Sequence, residues 1–309
     1  MTIKGILVNS VAEMDMHRAN SGQNQLGNAT ALKRRPDGRV YISGQMQRHA
    51  LFSAIDRLND DSDTYVSNGD GTSYQIETDL RADLGGFFLT EVPGEAGRRT
   101  SPISATPAVA LEESNTVRDM LLRLSSQDDD QNIATMELSQ RDQMCAALSL
   151  DCTALSVSKR HTYETEATDK GIHVDTDLIQ HVPDDERQRR ARLFLQASRF
   201  MTDYASQARN ATTAEPQRVF IVLDPVLSRK AARYFRVSDA EQANIRKELD
   251  ARGALYFEGD DTTEDGTAVF EAFDAALNAL DAHDLAGGGN EVLPYAETFT
   301  AMEEFRDDD

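Results

Sequence analysis

The order in which apolar patterns follow one another along the chain is the strongest constraint on its fold. Residues 2–12 and 217–224 are β-rich runs with apolar side chains on both faces, which is typical of strands inside a sheet. Ser43 can cap a helix whose apolar side chains are spaced for one buried face. The segments follow one another as strand, helix, strand, strand, helix and strand, which predicts an α+β fold with a ferredoxin-like βαββαβ core. In chain order they are residues 2–12, 43–58, 99–111, 133–157, 184–209 and 217–224.

Long polar stretches interrupt this order and predict insertions. Residues 59–97 are rich in Asp, Gly, Ser and Thr and hold few apolar residues for a core of their own. Residues 112–132 are also polar and predict a projecting loop, with a short helix expected at 117–124. Residues 133–157 alternate as a strand, a turn and a second strand would, and residues 158–185 are polar again.

The chain is strongly acidic, with 53 Asp and Glu against 32 Lys and Arg and a net charge of −21. Abundant Asp with very little Lys indicates a protein from a salt-rich cytoplasm, and a carboxylate-rich surface for a partner is the alternative. Screening shortens to about 3 Å at molar salt, so the net charge does not exclude nucleic acid. Binding would then depend on short-range contacts such as bidentate Arg.

One stretch departs from this acidity, because no carboxylate lies between Asp15 and Asp37. It is a loop rich in Asn, Gln and Gly, followed by a basic turn at residues 33–35 and by the helix that Ser43 caps. Three polar side chains are expected on the exposed side of the first helical turn: Gln45, Gln47 and Arg48. Amide and guanidinium donors beside a helix N-terminus suit a phosphate backbone. We therefore predict that this stretch binds RNA, while a long disordered connection is the alternative that the pattern leaves open.

Motifs for other chemistry are weak. The two cysteines, Cys145 and Cys152, are poorly spaced to pair with each other, which fits a reducing cytoplasm. The histidines follow no metal or triad spacing, and neither a phosphate-binding loop nor a nucleophile elbow occurs. Glu13 and Asp15 share one face of a strand and could hold Mg²⁺, although coincidence is the simpler explanation in so acidic a chain. Without a signal peptide or an apolar run of membrane length, we expect a cytoplasmic protein that needs no membrane, cofactor or metal.

Four segments together resemble a known family. They are the opening strand with its Asn-rich loop, the helix start YISGQMQRHA at residues 41–50, the strand at residues 99–111, and the run QRDQMCAALSLD at residues 140–151. In this order they resemble the backbone subunit of Cascade, the CRISPR interference complex. That subunit is the seventh Cas family, here in its DevR group within the RAMP superfamily, as found in type I-B systems. The resemblance covers most of residues 1–225.

The resemblance implies a discontinuous palm with an RNA-recognition fold (RRM-like) and two insertions. The palm would comprise residues 1–58, 98–111 and 141–309, the finger-like insertion residues 59–97 and the thumb-like insertion residues 112–140. Several copies would bind head to tail along one CRISPR RNA, together with other Cascade subunits, and would present the guide for pairing with target DNA. The resemblance implies no enzymatic activity for this group.

The resemblance also implies which side chains contact the CRISPR RNA. These are Arg18, Asn20, Gln25, Ser43, Gly44, Gln45, Arg48, Arg98, Arg99 and Ser101. Related type III subunits cut target RNA with a loop Asp, so the alternative hypothesis is a metal-dependent ribonuclease that uses Asp15. A third hypothesis is an unrelated halophilic ligand-binding or assembly protein, which would purify without short RNA.

Overall fold

The sheet is built around one long strand, Gly5–His17, which is hydrogen-bonded to a neighbour on each side. The structure is a computed structural model that describes residues 1–20, 23–24, 29–60, 63–68, 73–90, 97–123, 132–164, 172–289 and 291–299. Its strands are β1 (Thr2–Ile3), β2 (Gly5–His17), β3 (Gln23–Asn24), β4 (Ala29–Ala31), β5 (Tyr41–Ile42), β6 (Phe87–Phe88), β7 (Arg98–Arg99), β8 (Ile103–Ala105), β9 (Ala108–Ala110), β10 (Thr116–Arg123), β11 (Asn132–Asp151), β12 (Val157–Glu164), β13 (Ile172–Gln180), β14 (Arg218–Asp224), β15 (Leu255–Asp260), β16 (Asp284–Leu285) and β17 (Glu291–Val292). Its helices are α1 (Gly44–Leu58), α2 (Leu80–Gly85), α3 (Asp184–Ala197), α4 (Asp239–Ala251), α5 (Val269–Asp281), α6 (Tyr295–Thr298) and a 3₁₀ helix at Lys230–Arg236.

The core of the sheet has the ferredoxin-like order that the sequence predicts. β14, β2, β11 and the broken strand β8–β9 lie side by side in that order, and each neighbouring pair is antiparallel. Along the chain these are the fourth, first, third and second strands of a βαββαβ unit, whose two helices are α1 and α3. The predicted α+β fold class is therefore confirmed.

The two apolar faces of β14 explain its place inside the sheet. Val219, Ile221 and Leu223 belong to the core formed with α1, α3 and α5. Phe220 and Val222 alternate with them and pack on the other side, against the 3₁₀ helix and α4. Each such side chain contributes on the order of 1.5–3 kcal/mol when it leaves water. Helices on both sides of the sheet therefore hold the strand in register.

α1 begins as predicted, but its predicted stripe of Met46, Ala50, Leu51, Ala54, Ile55 and Leu58 is only partly buried, since Leu58 is exposed. The hydroxyl of Ser43 caps the helix by accepting the backbone N–H of Met46 at 3.2 Å. Four residues of the predicted apolar stripe are buried: Ala50, Leu51, Ala54 and Ile55. Gln47, which we expected to be exposed, is buried, and the hydroxyl of Tyr204 donates to its Oε1 at 3.1 Å. The chain that follows α3 thus covers part of the first turn of α1.

The segments between the core elements differ from the sequence-based expectation. A strand, β10, replaces the helix predicted at residues 117–124 and forms a hairpin with the first half of β11. β11 is one continuous strand where a turn was predicted, and the polar residues 158–185 contain the β12–β13 hairpin. α3 ends at Ala197 and does not reach residue 209. Solvated hairpins lack a clear apolar alternation, so pairing with a neighbouring strand decides their conformation.

A buried ion cluster ties the segment predicted as an insertion, residues 59–97, to the core. Asp83 of α2 is fully buried and binds the guanidinium groups of Arg99 and Arg190. The hydroxyl of Ser156 donates to the same carboxylate at 2.6 Å. Burial alone would raise the pKa of Asp83, but the two Arg charges outweigh it and hold that pKa below its usual value. The cluster joins α2, β7 and α3, so it fixes the position of α2 on the core.

The two cysteines are both free, as the sequence predicts, and both are buried.

Within the described ranges, no helix is both long and apolar enough to cross a membrane. The same residues contain no group of three or more His, Cys, Asp or Glu side chains placed to hold a metal ion.

Candidate nucleic-acid interface

The N-terminus of α1 differs from those of the other long helices in having no acidic side chain. The first turns of α3, α4 and α5 each contain at least one Asp or Glu, which the helix dipole favours. The first turn of α1 contains none, and the amides of Gly44 and Gln45 precede the first intrahelical hydrogen bond. The side chain of Asn20 lies beside this turn, since it donates to the carbonyl of Tyr41 at 3.2 Å. Such an end of a helix is suited to an anion.

Gly44 allows the start of α1 to lie directly against β8. A Cβ atom at this position would come within 2.8 Å of the carbonyl oxygen of Ala105. Because the obstacle is backbone, a larger residue would push the helix away from the strand. Gly44 therefore shapes the site, whether or not it touches a ligand.

A cavity of about 710 Å³ opens beside this helix terminus, which is within the range of about 300–1,000 Å³ found for small-ligand sites. We call it the α1 cavity. Its lining residues are Gly44, Gln45, Arg48, His49, Phe52, Arg81, Gly85, Gly86, Ile103, Ser104 and Ala105. None of these lining residues is acidic, in a chain in which Asp and Glu outnumber Lys and Arg by 53 to 32. The α1 cavity is therefore locally cationic within an anionic protein.

Two guanidinium groups flank the ring of Phe52 in the α1 cavity. The guanidinium carbon of Arg48 lies 6.0 Å from the ring centre, and that of Arg81 lies 4.8 Å from it. Arg48 donates to the carbonyl of Gly85 at 2.7 Å, and Arg81 donates to the carbonyl of Ser67. Burial, and then the neighbouring charge of Arg81, lower the pKa of Arg48. An anion bound between the two groups would relieve this repulsion, as phosphate does in many Arg-lined sites.

The structure brings together five of the residues singled out from the sequence. Ser43 and Asn20 meet at the start of α1, where the Ser43 hydroxyl lies 3.5 Å from Asn20 Oδ1. Gly44, Gln45 and Arg48 line the α1 cavity next to them. Gly44, Gln45 and Arg48 are therefore accessible from the cavity, whereas Asn20 is buried behind Ser43 and supports the start of the helix.

The other singled-out residues lie elsewhere or are engaged within the protein. Arg18 is largely buried, and Arg99 belongs to the ion cluster of Asp83. The hydroxyl of Ser101 contacts the carbonyl oxygens of Leu84 and Ile103. Arg98 lines a different cavity from the α1 cavity. Gln25 lies outside the described residues.

Ion pairs also occupy three basic residues in and just after the basic turn. Arg34 pairs with Glu137 of β11, and Arg39 pairs with Asp37 at 2.6 Å. Arg35 lies 3.5 Å from the same Asp37 carboxylate. Acidic side chains already neutralise the charges of these arginines, so the turn attracts an anionic ligand less strongly than its sequence suggests.

Two arginines near the α1 cavity were missed by sequence reasoning. Arg81 lies in an Asp-rich stretch that was interpreted only as an insertion, and α2 carries it to the cavity. Arg229 is far along the chain, and it donates to the hydroxyl of Ser104 at 2.9 Å. No local pattern marks either residue, because only the docking of α2 and the turn after β14 brings them to this surface.

The carboxylates considered for a nuclease lie on β2. Glu13 forms an ion pair with Arg141 of β11 at 2.8 Å, and Asp15 is exposed opposite Arg141 in the ladder. No third metal-ligating side chain of the described residues completes a group with them. The described geometry gives no specific support to a metal-dependent reaction at Asp15.

The fold and the α1 cavity together define a class, namely an α+β protein with a ferredoxin-like core and an arginine-lined cavity at the start of its first long helix. Two solved structures similar to this chain are described as a "CRISPR RNA-guided surveillance complex" and a "CRISPR RNA-guided surveillance complex, pre-nicking". The first matches with a TM-score of 0.55 and 14% identity, the second with 0.53 and 10%. In both cases 89% of this chain and 99% of the other chain are covered. These likenesses show a shared fold over nearly the whole of each chain.

No protein-family model matches the sequence, and no curated protein matches it significantly.

Proposed function

We propose that this protein is a scaffold subunit of a CRISPR surveillance complex that holds the guide RNA by its phosphate backbone. The observation that carries the proposal is the α1 cavity, where an acid-free helix terminus meets Arg48 and Arg81 in a chain of net charge −21. The fold that the chain shares with subunits of CRISPR RNA-guided surveillance complexes supports it.

In this proposal the ligand is a run of phosphate and ribose. A phosphate lies between the guanidinium groups of Arg48 and Arg81, at the N-terminus of α1. Ser43 and Gln45 provide further polar contacts along the strand, and the buried Asn20 holds the start of α1 in place through the Tyr41 carbonyl. Contacts of this kind position a nucleic acid without reading its sequence. The bases remain free to pair with target DNA, so the RNA determines the specificity.

The rest of the chain would arrange copies along the guide. The β10–β11 hairpin spans most of residues 112–140, the predicted thumb, and α2 lies in the predicted fingers at residues 59–97. Head-to-tail contacts between identical copies generate an open helical assembly, which suits a long linear guide. Other subunits of the complex would bind the ends of this assembly. The proposed role is not enzymatic.

The experiment is to measure the RNA that copurifies with an Arg48→Ala/Arg81→Ala variant. The matched control is Arg57→Ala, because Arg57 lies on the same helix but pairs with Asp203 outside the α1 cavity. Both proteins are purified in molar KCl, and the bound RNA is quantified and sized after extraction. We expect the double variant to lose at least about 90% of its RNA, which corresponds to a tenfold or greater loss of affinity per bound segment. The control should keep its RNA.

Unchanged RNA in the double variant would place the guide elsewhere and overturn the proposal. A circular dichroism spectrum identical to that of the wild type confirms that the double variant folds. Incubation of the assembled complex with complementary RNA and Mg²⁺ tests the nuclease hypothesis separately. Periodic cuts that disappear in Asp15→Ala would show an enzyme in place of a scaffold.

A further inference from the structure

A second cavity, of about 430 Å³, lies where the β6–β7 hairpin meets the β12–β13 hairpin. Arg99 joins the two hairpins, because its guanidinium donates to the carbonyl of Val157 at 3.1 Å. Backbone separates this hairpin cavity from the α1 cavity, since a Cβ atom on Gly86 would come within 2.4 Å of the Arg99 carbonyl oxygen. The hairpin cavity is therefore a distinct site.

Two cations of the hairpin cavity have no ion pair with any described residue. Arg98 and Lys159 are both exposed and line it, together with His161. The neighbouring Arg160 is different, because it pairs with Asp177 at 3.1 Å. Both side chains line the same cavity and have no counter-charge among the described residues, so both are available to an anionic ligand.

The acidic group of the hairpin cavity is already engaged. Asp151 lines it, and its carboxylate accepts the backbone N–H of Thr153 at 2.9 Å and the hydroxyl of the same residue at 2.6 Å. It does not pair with Arg98 or Lys159 among the described contacts. The two cations therefore remain directed at solvent.

An exposed aromatic ring stands beside these cations. Phe88 lies directly opposite Arg98 in the β6–β7 ladder, which places both side chains on the same face of the hairpin. Its side chain is 68% exposed, the largest value among the big apolar residues of the described chain. An exposed ring paired with Arg98, whose own cavity also holds Lys159, is an arrangement with which proteins bind single strands, since bases stack on the ring and phosphates contact the cations.

We propose that the hairpin cavity binds a second single strand of nucleic acid, separate from the guide. One base stacks on Phe88, and the adjoining phosphates contact Arg98 and Lys159. Stacking persists in high salt, where long-range attraction to phosphate is weak. The exposed ring favours a nucleic acid over an acidic peptide, because peptide carboxylates would use the cations and leave the ring of Phe88 in water. The site reads neither base identity nor the 2′-hydroxyl, so DNA and RNA strands bind alike.

The test is binding of fluorescent oligo(dT) and oligo(U) to the full chain in molar KCl. The measurements use the Arg48→Ala/Arg81→Ala background, so that the α1 cavity does not contribute. Arg98→Ala/Lys159→Ala and Phe88→Ala are each expected to weaken binding about tenfold, the size of one lost stacking or phosphate contact. Arg160→Ala, on the same hairpin, is the matched control and should leave the affinity unchanged. A thiouridine-substituted oligo(U) is expected to cross-link to the β6–β7 hairpin.

Three results would overturn this inference. The first is that the background protein binds no oligonucleotide, and the second is that the Arg98→Ala/Lys159→Ala change leaves the affinity intact. The third is that this change breaks contacts between protein subunits while oligonucleotide binding persists. The last result would make the cavity a protein contact. Guide retention is measured in parallel on the wild-type background, and Arg98→Ala/Lys159→Ala should leave it unchanged. Failure of the second site and failure of the proposed guide site therefore give different results.

Discussion

His181 is a buried, titratable side chain that joins residues 291–299 to the core. Its Nδ1 lies 2.7 Å from the carbonyl oxygen of Leu293, and its ring packs 5.3 Å from that of Tyr295. A carbonyl only accepts, so Nδ1 carries the proton and Nε2 is the basic nitrogen. Nε2 is buried and has no hydrogen-bond partner among the described residues. Burial is the main cause that lowers the pKa of His181 to about 4, and the charge of Arg99 lowers it further.

Acidification is expected to destabilise the protein through His181. Because the folded pKa is below the unfolded value of about 6.5, the unfolded chain binds the extra proton first, and stability falls as pH drops from 6.5 towards 4. Between pH 7 and pH 5 the loss is about 2 kcal/mol. Asn at position 181 keeps a donor for Leu293 but cannot titrate. Urea unfolding at both pH values should therefore show a smaller pH effect in His181→Asn, and an equal effect in both proteins would refute this assignment.

At the scale of elements, the local sequence pattern predicted the strands and helices of the core. It did not predict the elements whose conformation depends on pairing with distant parts of the chain. The strand β14 and the cap at Ser43 carry strong local signals, so the ferredoxin-like order and the start of the candidate site followed from the sequence. The strand β10 has no such signal, because its apolar residues do not alternate strictly and its conformation comes from pairing with β11. Arg81 was missed for the same reason, since its role depends on how α2 docks. The sequence suggested Arg99 as an RNA contact, but in the structure its guanidinium is paired with the buried Asp83.

The docking of α2 is expected to fail when Asp83 loses its charge. Asp83→Asn would leave Arg99 and Arg190 buried without their shared carboxylate. Breaking a buried ion pair from one side costs about 3–5 kcal/mol. Denaturant unfolding at constant molar KCl measures the loss, and hydrogen exchange should locate it in α2. Asp177→Asn is the control, because its pair with Arg160 is exposed, and similar losses in the two variants would argue against the cluster as the anchor.

At the scale of the whole molecule, charge is divided between three environments. Most carboxylates face solvent and give the net charge of −21. A few are buried with arginines, as Asp83 is, and the α1 cavity is lined by cations without acids. Salt strongly screens the repulsion among the exposed carboxylates, but it screens the attraction within the buried ion pairs very little. The fold can therefore depend on salt at its surface while the ion cluster and the cationic cavity keep their geometry.

Removal of salt is expected to destabilise the isolated protein. At low ionic strength the screening length grows from about 3 Å to about 30 Å, so repulsion among surface carboxylates reaches across the domain. The melting temperature should fall steadily as KCl is reduced from molar to millimolar concentration. Sucrose at matched osmolality separates this effect from the general stabilisation by excluded solutes, because it does not screen charge. Two results would show that carboxylate repulsion does not limit the stability of this chain. One is a melting temperature in sucrose equal to that in molar KCl, and the other is a melting temperature that rises on desalting.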